Sequence, residues 1–232
     1  MYPTPHRNDA EGAFDGASNY INYVLEEQKT KMMYLVIKRG MDFLLAFMGL
    51  VILSPLFLIV AVLIKLEDPK GSVFFYQTRI GKDEKPFRMY KFRSMVSNAE
   101  ELLEDLLNQN EISGAMFKMR QDPRITKIGK FIRRTSIDEL PQLWNVILGN
   151  MSLVGPRPAL PREVAQYSPY DKLRLKVIPG CTGLWQISGR NELNFNEMVE
   201  LDIQYIKQRG IMVDLKIMLH TVRVMFGSKD AF

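Results

Sequence analysis

The sequence predicts an α+β, predominantly helical fold: an apolar membrane helix interrupted by a proline, joined to a body of helices with a small β-hairpin and an amphipathic helix suited to a membrane interface. Three observations lead there. Residues 43–64 carry no formal charge, are bracketed by Lys38, Arg39 and Asp42 before and Lys65 after, and hold Ser54-Pro55 at their centre. Two short β-type runs, residues 72–77 and 87–92, flank a turn at residues 81–85. Most other apolar residues recur at helical spacing.

The uncharged run sets the architecture. Its 22 residues reach about 33 Å as a helix, enough to cross a hydrocarbon core of about 30 Å. Proline lacks an N–H donor and crowds the preceding turn, so Pro55 divides the run into two arms, each about one leaflet deep. Ser54 is placed to bond a carbonyl that Pro55 releases. Two readings stay open: a kinked spanning helix, or a chain that dips in and returns. The run is too long and too far from Met1 for a cleaved secretory signal. With 232 residues and 47% apolar content, the chain supports one sizeable core beside this segment. The expected division is a tail and juxtamembrane helix over 1–37, the membrane helix over 38–66 and one folded domain over 67–232.

The remaining elements follow in order. Residues 1–18 are rich in Pro, Gly, Asn and Asp and are expected to form a tail, and residues 20–34 carry a helical signal leading into the anchor. After the hairpin, Leu102, Leu103, Leu106 and Leu107 fall on one face of a predicted helix over 98–108, with acids on the other. Residues 121–124 read as a turn, 127–134 as a basic segment, and Leu143 to Leu148 as a helix ended by Gly149. Residues 154–162 and 179–191, dense in proline and glycine, read as ordered loops. Residues 211–226 mix apolar residues with Lys216, His220 and Arg223, a helix suited to lie flat on an anionic membrane.

Composition excludes some chemistries. Cys181 is the only cysteine, and His6 and His220 are the only histidines, so an internal disulfide is excluded and a Cys-built zinc site is not expected. A reducing, cytosol-facing body follows. The net charge of +5 favours anionic partners.

Asp138-Glu139 lies between the basic segment and Trp144. Ser136 and Glu139 have the S-x-x-E spacing of a capping box, and spacing alone favours that reading. The functional reading is that a carboxylate held among arginines keeps a low pKa and serves as a nucleophile or a hard oxygen ligand for Mg²⁺. Lys91 and Arg93 follow aromatic strand residues, and Arg157 is stiffened by flanking prolines, an arrangement suited to phosphate. Singly, each cation reads as a solvated surface charge. Arg174 and Arg190 complete the candidate substrate-binding set. Trp185 and Gln186 are candidates to line the site, although Trp185 reads first as core. Asp42, at the start of an apolar helix, needs a partner, with Lys38 and Arg39 nearest; the bland alternative is a snorkelling juxtamembrane cluster.

Lys38-Arg39-x-x-Asp42, Ser54-Pro55, Lys91-Phe92-Arg93-Ser94-Met95, Asp122-Pro123-Arg124-Ile125-Thr126, the run from Thr135 to Gln142, Gly155-Pro156-Arg157-Pro158 and Pro179-Gly180-x-Thr182-Gly183-x-Trp185-Gln186 together resemble the bacterial sugar transferase family, the monotopic polyprenyl-phosphate phosphoglycosyl transferases. The resemblance covers about residues 38–191. It implies transfer of a sugar 1-phosphate from a UDP-sugar to polyprenyl (undecaprenyl) phosphate, releasing UMP, at the cytosolic face of the bacterial inner membrane. It implies Asp138 as nucleophile forming a phosphosugar-aspartyl intermediate, Glu139 as ligand or proton acceptor, Mg²⁺ at this pair, and Ser54-Pro55 as the turn of a re-entrant helix. The partners implied are donor, acceptor and membrane lipid, with no nucleic acid; monomer and homodimer both stay open. The chain departs from the family pattern at Ile178 and Arg162, and Trp185-Gln186-x-Ser188-Gly189-Arg190 is more similar to the glucose or galactose branch. Larger relatives carry further amino-terminal membrane helices, so the chain resembles a minimal or truncated catalytic unit. The competing expectation is a membrane-tethered module that binds anionic lipid or nucleic acid without chemistry.

Overall fold

The computed structural model describes residues 32–99, 101–102, 119, 122–189 and 193–227. The expected tail over 1–18, most of the helical signal over 20–34, most of the helix over 98–108 and Arg190 lie outside them. The fold is predominantly helical, with one long apolar helix and two two-stranded sheets among the described residues.

Helix α1 (Met32–Glu67) is helical throughout, with Pro55 inside it, so the expected break does not interrupt the helix. Pro55 cannot donate to the Val51 carbonyl four residues back; Ser54 Oγ does so instead at 2.8 Å, as its position before the proline suggested. One stripe of α1 is buried, at Asp42, Ala46, Val60 and Ile64. Large apolar side chains elsewhere on it, including Phe47, Ile52, Leu58 and Leu66, are exposed. That distribution suits a helix facing protein on one side and lipid on the other.

The stripe organises the body. Around Ala46 pack Met89, Val146 and Met151; around Val60 and Ile64 pack Phe92 and Ile132. The hairpin supplying Met89 and Phe92 is β1 (Phe74–Ile80) against β2 (Pro86–Phe92), antiparallel from Phe74↔Phe92 to Ile80↔Pro86, with a 3₁₀ turn at Lys82–Glu84. It matches the expected hairpin, starting two residues later. Ile132 comes from α2 (Lys127–Arg134) and Val146 from α3 (Gln142–Leu148). Gly149 ends α3 in the left-handed conformation (φ 82°) that glycine adopts without penalty, and Arg39 donates to the last-turn carbonyls of Val146 and Ile147 at 2.6 and 2.8 Å.

The two proline- and glycine-rich segments expected as loops are partly regular. Strands β3 (Ser152–Val154) and β4 (Gly180–Thr182) pair in parallel, and short helices α4 (Pro161–Val164) and α5 (Leu184–Ser188) follow them. The backbones approach so closely that a Cβ on Gly180 would lie 2.1 Å from the Gly155 nitrogen, so glycine is required there. Helix α6 (Phe195–Gln208) was not anticipated, although Asn194 and Glu197 form a reciprocal capping box at its start. In α7 (Ile211–Gly227), Ile217 joins the core with Val154, Val177, Tyr205 and Ile206. Leu219 shares the exposed side with Lys216, His220 and Arg223.

Asn145, fully buried, ties α3 to the hairpin: its Oδ1 accepts from Tyr90 N at 3.0 Å and its Nδ2 donates to Arg88 O at 2.6 Å, completing the outer edge of β2. Asn145→Ala strands both backbone groups and is expected to destabilise the fold by about 2–3 kcal/mol, read as a lower thermal midpoint of the detergent-solubilised protein.

Candidate active site

A cavity of about 1270 Å³ opens between the hairpin, the α2–α3 junction, β4, α5 and α7. Its polar wall holds Lys91, Arg93, Ser94, Arg124, Arg133, Asp138 and Glu139; its apolar wall includes Phe75, Leu143, Met218 and Val222.

Local backbone geometry delivers the two acids. Thr135 ends α2, its hydroxyl bonding the Phe131 carbonyl at 2.9 Å. Ser136 then takes the left-handed region (φ 54°), rare for a residue with a Cβ, and leads into the 3₁₀ turn Ile137–Glu139. Ser136 makes no side-chain cap, so the capping-box reading is overturned: the positive φ turns it away from the helix start, and Glu139 instead accepts from Lys91 Nζ at 2.6 Å.

The environments of the two carboxylates diverge. Asp138 is buried, and burial pushes its pKa up to about 6; Lys91 and Arg133 oppose the shift and Glu139 adds to it. The expectation of a low pKa among arginines is therefore reversed at Asp138, because desolvation outweighs the cations. For Glu139, whose side chain is 47% exposed, the outcome is opposite: desolvation is again the largest single effect and raises its pKa, but Lys91, by charge and hydrogen bond, together with Arg157 and Arg79, outweighs it and holds the acid below the ordinary range. Arg133, which faces Asp138, is held by donating from Nε to Ser94 Oγ at 2.8 Å.

The other cations divide. Lys91 and Arg93 line the cavity, although Arg93 is engaged with Ser72 through two bonds of 2.8 and 2.7 Å. Arg157 stands outside the lining, paired with Glu163 at 3.4 Å, and reaches Glu139 only through its field. Arg174 is buried in an ion pair with Asp202 and donates to Tyr167 Oη at 3.1 Å, which takes it out of the cavity wall. Trp185, expected in the core, is half-buried and lines the cavity with Gln186. Sequence reasoning missed Arg79: it is buried, its Nη1 bonds the Pro158 carbonyl at 3.0 Å, and burial followed by repulsion from Arg157 lowers its pKa to about 10. Nothing in its strand context distinguishes it from a surface arginine.

The motif at the start of α1 is not a snorkelling cluster. Asp42 is buried, accepting from Ser152 Oγ at 2.7 Å and Leu153 N at 3.2 Å, with Lys38 Nζ 3.7 Å away. Lys38 bonds Asp214 of α7 more closely, at 2.8 Å, and Tyr205 Oη donates to the same carboxylate at 2.8 Å. Leu153, beside this junction, also lines the cavity.

Asp138 and Glu139 suit Mg²⁺ by donor type: two carboxylates facing one cavity, with room for water and phosphate oxygens to complete an octahedron. Among the described residues there is no group of three or more His, Cys, Asp or Glu side chains that would form an all-protein cage.

Comparison with known proteins matches residues 33–228 to the bacterial sugar transferase family. A galactosyl transferase, CpsE, of Streptococcus agalactiae is 49% identical over 198 residues, 84% of this chain and 43% of the relative. The exopolysaccharide production protein ExoY of Sinorhizobium fredii is 39% identical over 199 residues, 84% of this chain and 88% of the relative. A UDP-glucose:undecaprenyl-phosphate glucose-1-phosphate transferase of Escherichia coli is 40% identical, over 85% of this chain and 42% of the relative. The chain thus spans less than half the length of several relatives and nearly the whole of another.

Lys91→Met removes the cation shared by both acids. The Glu139 pKa is expected to rise toward its ordinary 4.5 and that of Asp138 to move further above about 6, followed by carboxyl-carbon NMR titration in the metal-free protein.

Proposed function

We propose that this chain, which belongs to the bacterial sugar transferase family, transfers a sugar 1-phosphate from a UDP-hexose to undecaprenyl phosphate and releases UMP. The observation that carries this reading is Asp138, a buried carboxylate in a cavity with a cationic wall for phosphates and an apolar wall suited to a lipid chain. The relatives' names supply the reaction type: an undecaprenyl-phosphate glucose-1-phosphate transferase and a galactosyl transferase are among them. The sequence Trp185-Gln186-x-Ser188-Gly189 favours glucose or galactose as the sugar.

In this reading an Oδ of Asp138 attacks the sugar-bearing phosphorus, the bond to the other phosphate breaks, and UMP departs with the electron pair. The sugar 1-phosphate is left esterified to Asp138. A phosphate oxygen of the acceptor then attacks the same phosphorus and returns Asp138 as a carboxylate. One high-energy phosphate link is exchanged for another at each step, so little driving force is lost to the intermediate. Attack requires the ionised acid, and a pKa near 6 leaves about nine-tenths of Asp138 ionised at pH 7. Lys91 and Arg133 offset charge repulsion between carboxylate and diphosphate, and Lys91 also holds Glu139 ionised. Mg²⁺ held by Asp138 and Glu139 would supply further charge neutralisation at the diphosphate.

The membrane geometry proposed is a shallow, returning insertion at the cytosolic face of the bacterial inner membrane. Both ends of α1 bond to one body: Asp42 to Ser152 and Leu153, and Glu67 to the backbone N–H groups of Lys127 and Ile128 at 2.7 and 2.9 Å. Along a straight helix these anchor points would lie about 37 Å apart, so a returning insertion requires α1 to bend at Pro55, where a backbone hydrogen bond is missing. A transverse span would place one polar junction across the bilayer from the other, at the cost of carrying the polar surface between them through hydrocarbon.

With Mg²⁺, UDP-glucose or UDP-galactose and undecaprenyl phosphate, the purified protein is expected to release UMP. Asp138→Asn should lower the rate by at least about a thousandfold, and EDTA should stop it; a non-catalytic lipid-binding module would release no UMP with any donor. In a Cys181→Ala background, Tyr20→Cys and Asp230→Cys are expected to label from the same side of sealed vesicles, and labelling from opposite sides would establish a span.

A further inference from the structure

We propose that Gln77, held in one orientation by Arg79, is a substrate-binding residue whose side-chain amide donates to the donor phosphate that leaves as UMP. Phe75, Gln77 and Arg79 alternate along β1 opposite Lys91, Met89 and Phe87 of β2, so their side chains share one face of the hairpin. Phe75, Gln77 and Lys91 line the cavity, while Arg79 is buried outside its lining. Arg79 Nη2 donates to Gln77 Oε1 at 2.7 Å, and Nη1 donates to the Pro158 carbonyl at 3.0 Å. A guanidinium carries donors only, so Gln77 has to present its oxygen to Arg79, and its Nε2 is turned the other way. Flipping the amide would set N–H against N–H. The oxygen is the only atom of this amide that is bonded among the described residues, which leaves both Nε2–H donors for the cavity.

The charge around this pair calls for an anion. Arg79 is 7% exposed, takes part in no ion pair among the described residues, and its Nε is buried without a partner. Both of its hydrogen bonds go to neutral acceptors. Arg157 and Arg162 repel it, and the carboxylates that attract it, Glu163 and Glu139, are already paired with Arg157 and Lys91. A buried cation without a counter-ion is costly until an anion arrives, and its pull on Oε1 makes the Nε2–H groups stronger donors. A phosphate oxygen answers both features; a sugar hydroxyl answers only the second. Position selects which phosphate. Lys91 pairs with Glu139 beside Asp138, and diagonal neighbours on a hairpin face, as Lys91 and Gln77 are, lie about 7–8 Å apart. With the sugar-bearing phosphorus at Asp138, the other phosphate of the donor extends along the hairpin toward Gln77, on the side of Arg79 and Arg157. The inference rests on the donor assigned above, and Arg79 enters it as a positioning residue acting through Gln77.

The test is ligand affinity, measured by calorimetry on the full chain in detergent with Mg²⁺, in an Asp138→Asn background where no donor is consumed. Gln77→Leu and Gln77→Glu are each expected to weaken binding of both UMP and UDP-glucose by about ten- to hundredfold, the effect of losing a hydrogen bond to a charged group. Gln77→Glu keeps an acceptor for Arg79 and should hold the thermal midpoint at or above that of the parent, which separates the lost N–H donors from a disturbed hairpin. Arg79→Met should weaken UMP binding by freeing the amide to turn, and Arg79→Lys should restore part of it. Added to Gln77→Leu, Arg79→Met should cost no more than about a further twofold, because residues acting through one another are not additive. Fully additive losses would overturn the positioning role of Arg79. Unchanged affinity for both ligands in the Gln77 variants, or UDP-glucose weakened with UMP bound as before, would overturn the assignment of Gln77 to the leaving phosphate. A parent protein that binds neither ligand would overturn the donor reading and this inference together, whereas the variants are compared only once the parent binds, so the two failures are read separately.

Discussion

The constraint on which the rest depends is that α1 has to satisfy two solvents at once. Most of its circumference is apolar and exposed, while one stripe carries Asp42, Ala46, Val60 and Ile64 into protein. A carboxylate on such a helix is tolerable only if the body supplies its hydrogen bonds, and Ser152 and Leu153 do so. Those donors belong to β3 and its flank, so solvation of the membrane helix also fixes the strand beside the cavity. At the far end Glu67 serves the same purpose for α2, accepting from two N–H groups that would otherwise have no partner within the helix. One helix thereby holds two walls of the site at fixed spacing.

Within the cavity, burial and charge act against each other, and their balance differs between adjacent residues. Asp138 faces inward, loses water and becomes a weaker acid; Glu139 meets Lys91 directly and becomes a stronger one. The separation arises from the left-handed Ser136 and the single turn after it, which aim the two side chains differently. A regular helix would have placed the acids 100° apart around one axis and given Ser136 a capping role instead. Arg157, and Arg79 held against the Pro158 carbonyl, add a cationic field at Glu139.

Much of this was legible along the chain. Residues 43–64 announced an apolar helix because lipid exposure demands an unbroken apolar run; the hairpin showed in its aromatic and basic alternation around a turn; and Ser54 before Pro55 indicated which hydroxyl replaces the missing donor. Helix α6 was legible in principle through the N-x-x-E spacing of Asn194 and Glu197, a local signal that went unread. The family was readable because its motifs are short, ordered and local.

What only the tertiary structure decided are the partners of charged groups. Lys38 precedes Asp42 by one turn, yet its nearer carboxylate is Asp214, far along the chain; Arg174 resembles any candidate phosphate ligand until Asp202 is seen against it; and Asp138 reads as a low-pKa acid until its burial is counted. Sequence fixes periodicity, turn chemistry and the apolar run because these depend on neighbours a few residues away. Electrostatic roles depend on distance and desolvation across the fold, quantities that exist only once the chain has closed on itself.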